Sequence, residues 1–371
     1  MIYLDYSANT PVDARVLEQF CAVERRCIGN ANSHHQAGSA AKAEIDAATI
    51  KIASLLGVQP AEIIYTSGAS EANNFALKGL ARLSRHAGRH IISTPLEHSS
   101  VSGTLTALQE QGYEIDLLDV KQDGTVDLEH LKDLLRPDTI CVAITLVDSE
   151  LGVVQPVQEI AAILKAYPHC HLHVDATQAV GKIPVSFEGV DTMSLTAHKF
   201  YGLNGIGLLI KRRNLALEPL IHGGESTTIY RSGTPTVALA SSLACALDLA
   251  VTDLPGRVDH VAKLNAELRA ALSTYPLVHI NSPEHAIPHV LNLSVRNVKG
   301  TVFQRELDAK GVCVSVKSAC SSDGLPSRAV FAVSRDRRNA LSSWRISLSH
   351  LTTEDEIRAF LQAFDVCYRE L

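Results

Sequence analysis

The sequence lacks the surplus of positive charge that a nucleic-acid-binding protein carries. Its 34 Lys and Arg residues are outnumbered by 40 Asp and Glu residues, which gives a formal net charge of −6. Such a chain has no basic field strong enough to collect phosphate backbones. With 46% hydrophobic and 20% charged residues, it also lacks the composition of a disordered or fibrous protein. We therefore expect a folded protein without a direct nucleic-acid partner.

Paired cysteines and long apolar runs are missing as well. The eight Cys residues contain no C-x-x-C spacing, which argues against a zinc knuckle or a disulfide framework, and we expect no metal. The longest apolar segment, 237–251, is interrupted by Ser241, Ser242 and Asp248 and is shorter than the about 20 residues that span a bilayer. Residues 1–5 do not resemble a signal peptide. These absences predict a soluble, cytoplasmic protein that does not bind membranes.

What is present is a pattern of alternating strands and helices. Between residues 63 and 211, short apolar runs alternate with longer amphipathic stretches, which is typical of an α/β fold with a mostly parallel central sheet flanked by helices. The clearest helix is predicted over 70–86, with Ser70 as its N-cap. The predicted strands are 63–66, 90–93, 114–118, 140–146, 171–174, 192–195 and 206–211, and the apolar residues on one face of the helix are Ala72, Phe75, Ala76, Leu80 and Leu83.

The chain length of 371 residues favours two domains at about 150 residues each. After Pro255 the pattern changes to a helix over 258–272, strands over 290–295 and 312–316, and a terminal helix that begins near Thr353. This order predicts a smaller α+β domain. We assign residues 13–254 to the large domain, and residues 1–12 and 255–371 to the small one. The cleft between the two is the expected place for a ligand.

Polar side chains follow four of the predicted strands, where an open α/β sheet binds its ligands. A turn of small residues, 67–70, opens the helix and can hold a phosphate on its N–H groups. His98, Asp175 and Lys199 follow three other strands. Alone, each of these residues is as readily explained by structure. Together they match the needs of pyridoxal 5'-phosphate (PLP): an amine for its aldehyde, a carboxylate for its ring nitrogen and a ring to stack on it.

With these residues in place, the sequence resembles a known family. It is similar to the class V aminotransferases among the fold-type I PLP enzymes, and within them to the cysteine desulfurases of the NifS/IscS type. The similarity extends over nearly the whole chain and implies a fold-type I PLP-dependent transferase that forms a homodimer. The matching segments are 3–11, 29–30, 66–74, 97–98, 174–178, 198–199, 231–234, 318–320 and 345–347.

The resemblance also implies roles for individual residues. Lys199 would carry the cofactor and move protons, His98 would stack on the ring and act as a proton shuttle, and Cys320 would accept the sulfur. Arg345 would clamp the substrate carboxylate, and Ser149 would lie near both substrate and cofactor. Further cofactor contacts are implied for Asp175 at the ring nitrogen, Gln178 at the phenolate oxygen, and Ala69, Ser70, Thr196, His198 and, from the other subunit, Thr234 at the phosphate.

The implied reaction converts L-cysteine to L-alanine and leaves a persulfide on Cys320 for a sulfur-acceptor protein, either an iron–sulfur scaffold or a thiolation factor. Three departures from the family pattern bear on it. Ser149 stands where the family has an amide, the segment 222–230 replaces a glycine-rich one, and Lys317 replaces a glycine. A cation that close to Cys320 can lower the pKa of the thiol or stiffen the segment.

Three other hypotheses stay open at this stage. Selenocysteine lyase and cystine C–S lyase are the nearest enzymatic alternatives, and a PLP-binding partner in sulfur transfer with little activity of its own is the third. The alternating His169, His171 and His173 resemble a metal site, but no carboxylate or cysteine completes a ligand set. We therefore interpret these three histidines as packed or exposed strand residues.

Overall fold

The structure is a computed structural model that describes residues 1–317 and 325–370. In this part of the chain the strands are β1 (Ile2–Tyr3), β2 (Ile63–Thr66), β3 (His90–Ser93), β4 (Glu114–Leu117), β5 (Thr139–Thr145), β6 (His171–Asp175), β7 (Thr192–Thr196), β8 (Gly207–Lys211), β9 (Val278–Ile280), β10 (Val290–Val295), β11 (Val312–Cys313) and β12 (Ser343–Ser347). The α-helices are α1 (Ala14–Arg26), α2 (Gln36–Leu56), α3 (Ala69–Leu83), α4 (Ser99–Gln109), α5 (Leu128–Leu134), α6 (Val157–Leu164), α7 (Val237–Thr252), α8 (Leu254–Leu272), α9 (Gly300–Ala309), α10 (Arg328–Ser334), α11 (Arg337–Ser342) and α12 (Glu354–Arg369). Short 3₁₀ turns occupy Pro60–Glu62, Ser84–His86 and Ala197–Lys199.

The central sheet has the strand order β2-β8-β7-β6-β5-β3-β4. The pairs from β4 to β7 are parallel, and β8 runs antiparallel to both of its neighbours. Its central strands are buried on both faces, as expected for a parallel sheet covered by helices. The predicted mostly parallel α/β fold is confirmed, and all seven predicted strands are present within one residue at each end.

The start of α3 differs from the prediction. Gly68 is its N-cap, with φ of 154°, so Ser70 lies inside the helix and does not cap it. Because an L side chain rarely adopts that φ, glycine is needed at this turn. The helix ends at Leu83, and a 3₁₀ turn follows. Of the five apolar residues on one face, Leu83 at the end of the helix is 38% exposed, and the others are buried: Ala72, Phe75, Ala76 and Leu80.

The remainder of the chain forms a second, antiparallel sheet, β12-β10-β9, packed with α8, α9 and α12. Its core is aromatic, with Phe303 stacked on Trp344 at 5.4 Å between ring centroids. Predicted strand 312–316 is shorter than expected, because β11 ends at Cys313. The terminal helix begins as predicted, with Thr353 in a capping box. The domain limits stay a prediction, which the separate apolar clusters of the two sheets support.

The first ten residues, here called the N-terminal segment, contact both parts of the molecule. β1 pairs with β11, and the Ser7 N–H donates to Ser347 Oγ at 2.9 Å on the second sheet. Further along, the Thr10 N–H donates to the His198 carbonyl oxygen at 3.0 Å, next to the end of β7. The segment therefore passes from the small sheet to the edge of the large one.

No single helix of the described residues is long and apolar enough to cross a membrane. Only α7 and α8 taken together meet those limits of length and composition, and they are bent by 66° relative to each other.

Candidate active site

A cavity of about 340 Å³ opens at the carboxyl ends of β5, β6 and β7. Thr145, Asp175 and Thr196, the last residues of these strands, line it, as expected for a parallel sheet. The structure brings ten of the sequence-predicted site residues together around this one cavity. They are Ala69, Ser70, His98, Ser149, Asp175, Gln178, Thr196, His198, Lys199 and Arg345.

The turn between β2 and α3 forms one wall of the cavity. Its backbone lies so close to β8 that a Cβ added to Gly207 would stand 2.7 Å from the Gly68 Cα. Glu71 braces the turn, because its Oε2 accepts the Ser67 N–H at 2.7 Å and its Oε1 pairs with the Arg231 Nε at 2.9 Å. The N–H groups of the first helical turn are thereby held at the cavity, where an anion such as phosphate is stabilised.

Asp175 ends β6 and is buried, with neutral hydrogen-bond donors within the described residues. Its Oδ1 accepts the Thr177 N–H at 2.9 Å, and its Oδ2 accepts the Asn73 Nδ2–H at 2.8 Å. A buried carboxylate held by neutral donors is suited to receive a cationic partner from a ligand, such as a protonated ring nitrogen.

His98 is the N-cap of α4 and borders the cavity. Its Nδ1 accepts the backbone N–H of Ser100 at 3.1 Å, which places its own proton on Nε2. Burial lowers the pKa of His98, and the positive charges of Lys199 and Arg328 add to this effect against that of Asp175. The neutral ring is therefore the favoured form near neutral pH.

Lys199 lies in the 3₁₀ turn that follows β7. Its Nζ donates to the carbonyl oxygens of Ser7 and Ala8 at 2.8 and 2.6 Å, so the N-terminal segment helps to hold the amine at the cavity. The adjacent His198 has its pKa lowered to about 4 by burial and by the charges of Lys199 and Lys182. His198 Nδ1 lies 3.1 Å from Thr196 Oγ1. A neutral imidazole in this place can donate or accept a hydrogen bond toward a phosphate.

Gln178 is fixed by two partners. Its Nε2 donates to the Ser7 carbonyl oxygen at 2.9 Å, and its Oε1 accepts from Lys182 Nζ at 2.6 Å. Lys182 is buried, and burial together with the charges of Lys199 and Arg345 lowers its pKa to about 7. The second N–H of the amide stays available to an acceptor in the cavity.

Arg345 on β12 is almost fully buried beneath the cavity. One terminal nitrogen donates to the Ser149 carbonyl oxygen at 2.7 Å, and the other donates to Asp5 Oδ1 at 2.9 Å. Its Nε has no hydrogen-bond partner in the described part of the chain. The contact to Ser149 uses the backbone, so the missing amide side chain at this position does not remove it. The remaining donors of the guanidinium suit a carboxylate ligand.

Unsatisfied polar atoms at the cavity indicate a polar ligand. Within the described residues, Ser7 Oγ, Thr177 Oγ1 and Arg345 Nε are buried and lack a hydrogen-bond partner, and all three residues line the cavity. Buried polar atoms are normally satisfied. An amine, a carboxylate, a helix N-terminus and these three atoms together fit the groups of PLP and an amino acid.

Two buried acids lie close to this site and were not singled out in the sequence. Burial raises the pKa of Glu97 to about 8 and that of Asp148 to about 7. Glu97 Oε1 accepts the Thr145 N–H and the Thr94 hydroxyl, both at 2.8 Å. Within the described residues, Glu97 Oε2 and Asp148 Oδ1 have no hydrogen-bond partner.

Two predicted site residues are not among those lining the cavity. Thr234 lies in a smaller neighbouring cavity that also contains Ser67 and Arg231, and its role across a dimer stays a prediction. Cys320 lies outside the described residues. Just before that segment, Lys317 Nζ donates to the Leu325 carbonyl oxygen at 3.0 Å.

The structure also adds residues that sequence reasoning missed. Three such residues contact predicted site residues directly but are not among the residues that line the cavity: Asn73, Ser100 and Lys182. Asn73 lies in one of the matching segments, but its position in the sequence does not indicate whether its amide is buried or exposed. Lys182 lies four residues after Gln178, in the turns that follow β6.

Comparison with known proteins gives consistent results. A profile described as Aminotransferase class-V matches residues 2–360. Cysteine desulfurase IscS of Proteus mirabilis is 40% identical over 365 residues, which cover 96% of this chain and 90% of that protein. A solved NifS-like protein superposes with a TM-score of 0.94 at 36% identity, over 100% of both chains. A structure of SspA in complex with cysteine has a TM-score of 0.83 at 30% identity, over 95% of this chain and 100% of that one.

Proposed function

This chain belongs to the class V aminotransferase family and is a cysteine desulfurase, and we propose that it uses PLP on Lys199 to move sulfur from L-cysteine to Cys320. The family resemblance seen in the sequence is thereby confirmed. The observation that carries the proposal is the meeting of Lys199, Asp175 and His98 with the N-terminus of α3 around one cavity.

The residues at the cavity would each hold a different part of the cofactor. The first turn of α3, with Ala69 and Ser70, and the side chains of Thr196 and His198 hold the phosphate. Asp175 would pair with the ring nitrogen, Gln178 would donate to the phenolate oxygen, and Thr234 of a second copy would complete the phosphate site in a homodimer. When bound, the cofactor withdraws electrons from the substrate and so makes its Cα proton removable.

The protein's own groups then bind the substrate and move its protons. Arg345 receives the carboxylate of L-cysteine on its Nε and a terminal nitrogen. The amine of Lys199 takes the proton from Cα, and His98, with its proton on Nε2, shuttles protons at the ring face and the sulfur. Ser149 contributes its backbone carbonyl by holding Arg345 in place.

The sulfur step balances without an added oxidant or reductant. The thiolate of Cys320 attacks the sulfur of L-cysteine, the carbon–sulfur bond breaks, and a persulfide forms on Cys320. The carbon skeleton receives protons and leaves as L-alanine. The persulfide is then passed to a sulfur-acceptor protein, an iron–sulfur scaffold or a thiolation factor, which we place with this enzyme in the cytoplasm.

Reconstitution with PLP tests the assignment of Lys199. After borohydride reduction, the peptide that contains Lys199 should carry the cofactor, and Lys199→Ala should carry none. With L-cysteine, the enzyme should release alanine and leave a persulfide on the peptide of Cys320. Cys320→Ala should lose more than 90% of this transfer, whereas Cys21→Ala, at a half-buried cysteine of α1, should keep it. An unlabelled Lys199 peptide would contradict the proposal.

The same assay separates the alternatives. Pyruvate in place of alanine indicates β-elimination from cystine. Turnover that is faster with selenocysteine than with L-cysteine, and that persists in Cys320→Ala, indicates a selenocysteine lyase. A cofactor band that does not change on adding L-cysteine indicates a partner protein with little activity. Alanine formation that requires Cys320 excludes all three.

A further inference from the structure

Asn73, on the second turn of α3, is fully buried and joins two of the predicted site residues. Its side chain forms four hydrogen bonds, which use both N–H groups and both lone pairs of the amide. Nδ2 donates to Asp175 Oδ2 at 2.8 Å and to Ser100 Oγ at 2.9 Å. Oδ1 lies 2.5 Å from Ser194 Oγ and 3.0 Å from His173 Nε2.

The register of the sheet brings these partners together. β6 and β7 pair so that His173 lies opposite Thr192, and Asp175 opposite Ser194. α3 packs across the same strands and points Asn73 between them. The polar cluster is therefore built from four elements: the strands β6 and β7 of the large sheet and the helices α3 and α4.

The directions of these hydrogen bonds follow from the chemistry of the partners. The carboxylate of Asp175 only accepts, so the amide presents Nδ2 to it and Oδ1 to His173. His173 must then carry its proton on Nε2, and its Nδ1 accepts from Thr192 Oγ1 at 2.9 Å. Burial lowers the pKa of His173 to about 4, so this ring is neutral near neutral pH.

The other arm of the cluster reaches His98. Ser100 Oγ accepts from Asn73, which leaves its own proton for His98 Nδ1 at 2.8 Å. The Ser100 N–H donates to the same nitrogen. His98 therefore holds its proton on Nε2, and one amide connects the carboxylate of Asp175 with the imidazole that borders the cavity.

We propose that Asn73 is a positioning residue that sets two groups of the site at once: it aims the carboxylate of Asp175 into the cavity and, by donating to Ser100 Oγ, directs the hydroxyl proton of Ser100 to Nδ1 of His98. Its effect on the cofactor rests on the proposed function, since it requires a ring nitrogen opposite Asp175. Its effect on the two histidines does not, since it belongs to the protein alone.

The first test uses the protein without cofactor. Histidine side-chain ¹⁵N NMR, assigned with His98→Gln and His173→Gln, should show both rings as the neutral Nε2–H form at pH 7.5. Asn73→Leu, which has a similar shape but no donor, should change the ¹⁵N shifts of the His98 ring, because the Ser100 hydroxyl is no longer directed to Nδ1, while the Ser100 backbone N–H keeps the proton on Nε2. Ser194→Ala is the matched control, because it removes a buried contact to the same Oδ1, and within the described residues the Ser194 hydroxyl has no hydrogen bond to Asp175 or Ser100.

The second test uses the PLP-loaded protein. Asn73→Leu should weaken PLP binding about tenfold or more and shift the pH midpoint of its visible absorbance band by at least about half a unit, whereas Ser194→Ala should leave both within about twofold. Ser100→Ala breaks only the arm to His98, so PLP affinity should stay within about threefold while the shifts and pKa of the His98 ring change. Asp175, Lys199 and Arg328 act on His98 in every variant and are unaltered.

The outcomes are distinguishable. A wild-type protein that fails to bind PLP contradicts the proposed function but leaves the tautomer test intact. A proton on Nδ1 of His98 or His173 in the wild type overturns the inference, as does an Asn73→Leu variant that matches Ser194→Ala in both measurements. If Asn73→Leu does not fold, the wild-type tautomers and the response of the His98 ring to Ser100→Ala decide the question.

Discussion

Lys182 Nζ lies 2.6 Å from Gln178 Oε1, and this contact determines which way the Gln178 amide faces. An ammonium group can only donate, so it selects the oxygen of the amide and leaves the nitrogen for Ser7 and the cavity. Lys182 is buried and forms no ion pair with a carboxylate of the described residues. It therefore lies directly behind the predicted cofactor site with its pKa lowered to about 7, and in its charged form it donates to Gln178.

We predict that Lys182→Met lowers PLP affinity by about five- to thirtyfold, because the Gln178 amide loses the partner that orients it. The same variant should raise the pKa of His198, since one of the positive charges that depress it is gone. Fluorescence titration with PLP and histidine NMR measure the two effects. Lys165→Met, at an exposed lysine, should change neither. Unchanged values in Lys182→Met would show that Gln178 is held by Ser7 alone.

Glu97→Gln should remove a pH dependence of stability. The pKa of Glu97 is raised from 4.5 to about 8, so the folded state keeps a proton that the unfolded state has released, and the free energy of unfolding falls as pH rises through that range. Gln does not ionise and keeps the oxygen that accepts from Thr145. Relative to wild type, the variant should gain roughly 1–4 kcal/mol between pH 5 and pH 8.5.

Urea denaturation at the two pH values measures this gain. Glu24→Gln, at an exposed position of α1, is the control and should shift stability equally at both. A constant difference between Glu97→Gln and wild type would mean that Glu97 is ionised when buried.

Arg345→Lys should weaken the substrate and leave the cofactor in place. Lysine keeps the charge but not the planar fork, so it cannot meet Asp5, the Ser149 carbonyl oxygen and a substrate carboxylate together. We expect KM for L-cysteine to rise about ten- to hundredfold, with PLP affinity within about threefold. Steady-state kinetics decide between this result and an equal loss of both affinities, which would indicate a structural role only.

Gly207→Ala should disturb the turn between β2 and α3, which is proposed to hold the phosphate. The added Cβ would stand 2.6 Å from the Leu195 carbonyl oxygen and 2.7 Å from Gly68 Cα, and backbone has to move to admit it. We expect a loss of about 1–3 kcal/mol in stability and a larger loss of affinity for PLP than for pyridoxal, which lacks the phosphate. Gly224→Ala is the control, since its Cβ meets nothing within 4 Å.

The strands and most of the cavity lining could be predicted from the sequence because each depends on local pattern. Apolar runs located the seven strands of the large sheet, and strand ends located Asp175, Lys199 and, near one of them, His98. The prediction of Ser70 as the N-cap was wrong because the helix starts at a turn that needs the backbone conformation of Gly68. The preference of serine for N-cap positions carries no information about that conformation. Leu83 follows the helical period but is the last residue of α3 and is 38% exposed.

The support behind the cavity could not be predicted, because it depends on contacts between distant segments. Asn73 meets Asp175 only when α3 crosses β6, and the Ser149 carbonyl oxygen meets Arg345 only when the two sheets pack. The role of Cys320 still rests on the family resemblance, since that residue is outside the described part of the chain.

The N-terminal segment has a consequence for how the molecule melts. It forms a two-stranded sheet with β11, contacts β12 through Ser7, and supplies the carbonyl oxygens of Ser7 and Ala8 as acceptors for Lys199 at the large sheet, so neither half can lose its order without releasing the other. Heating should therefore give a single calorimetric peak whose enthalpy equals the van't Hoff value. Deleting residues 1–10 should split that peak into two, with the half that binds the cofactor melting separately from the half that carries Arg345.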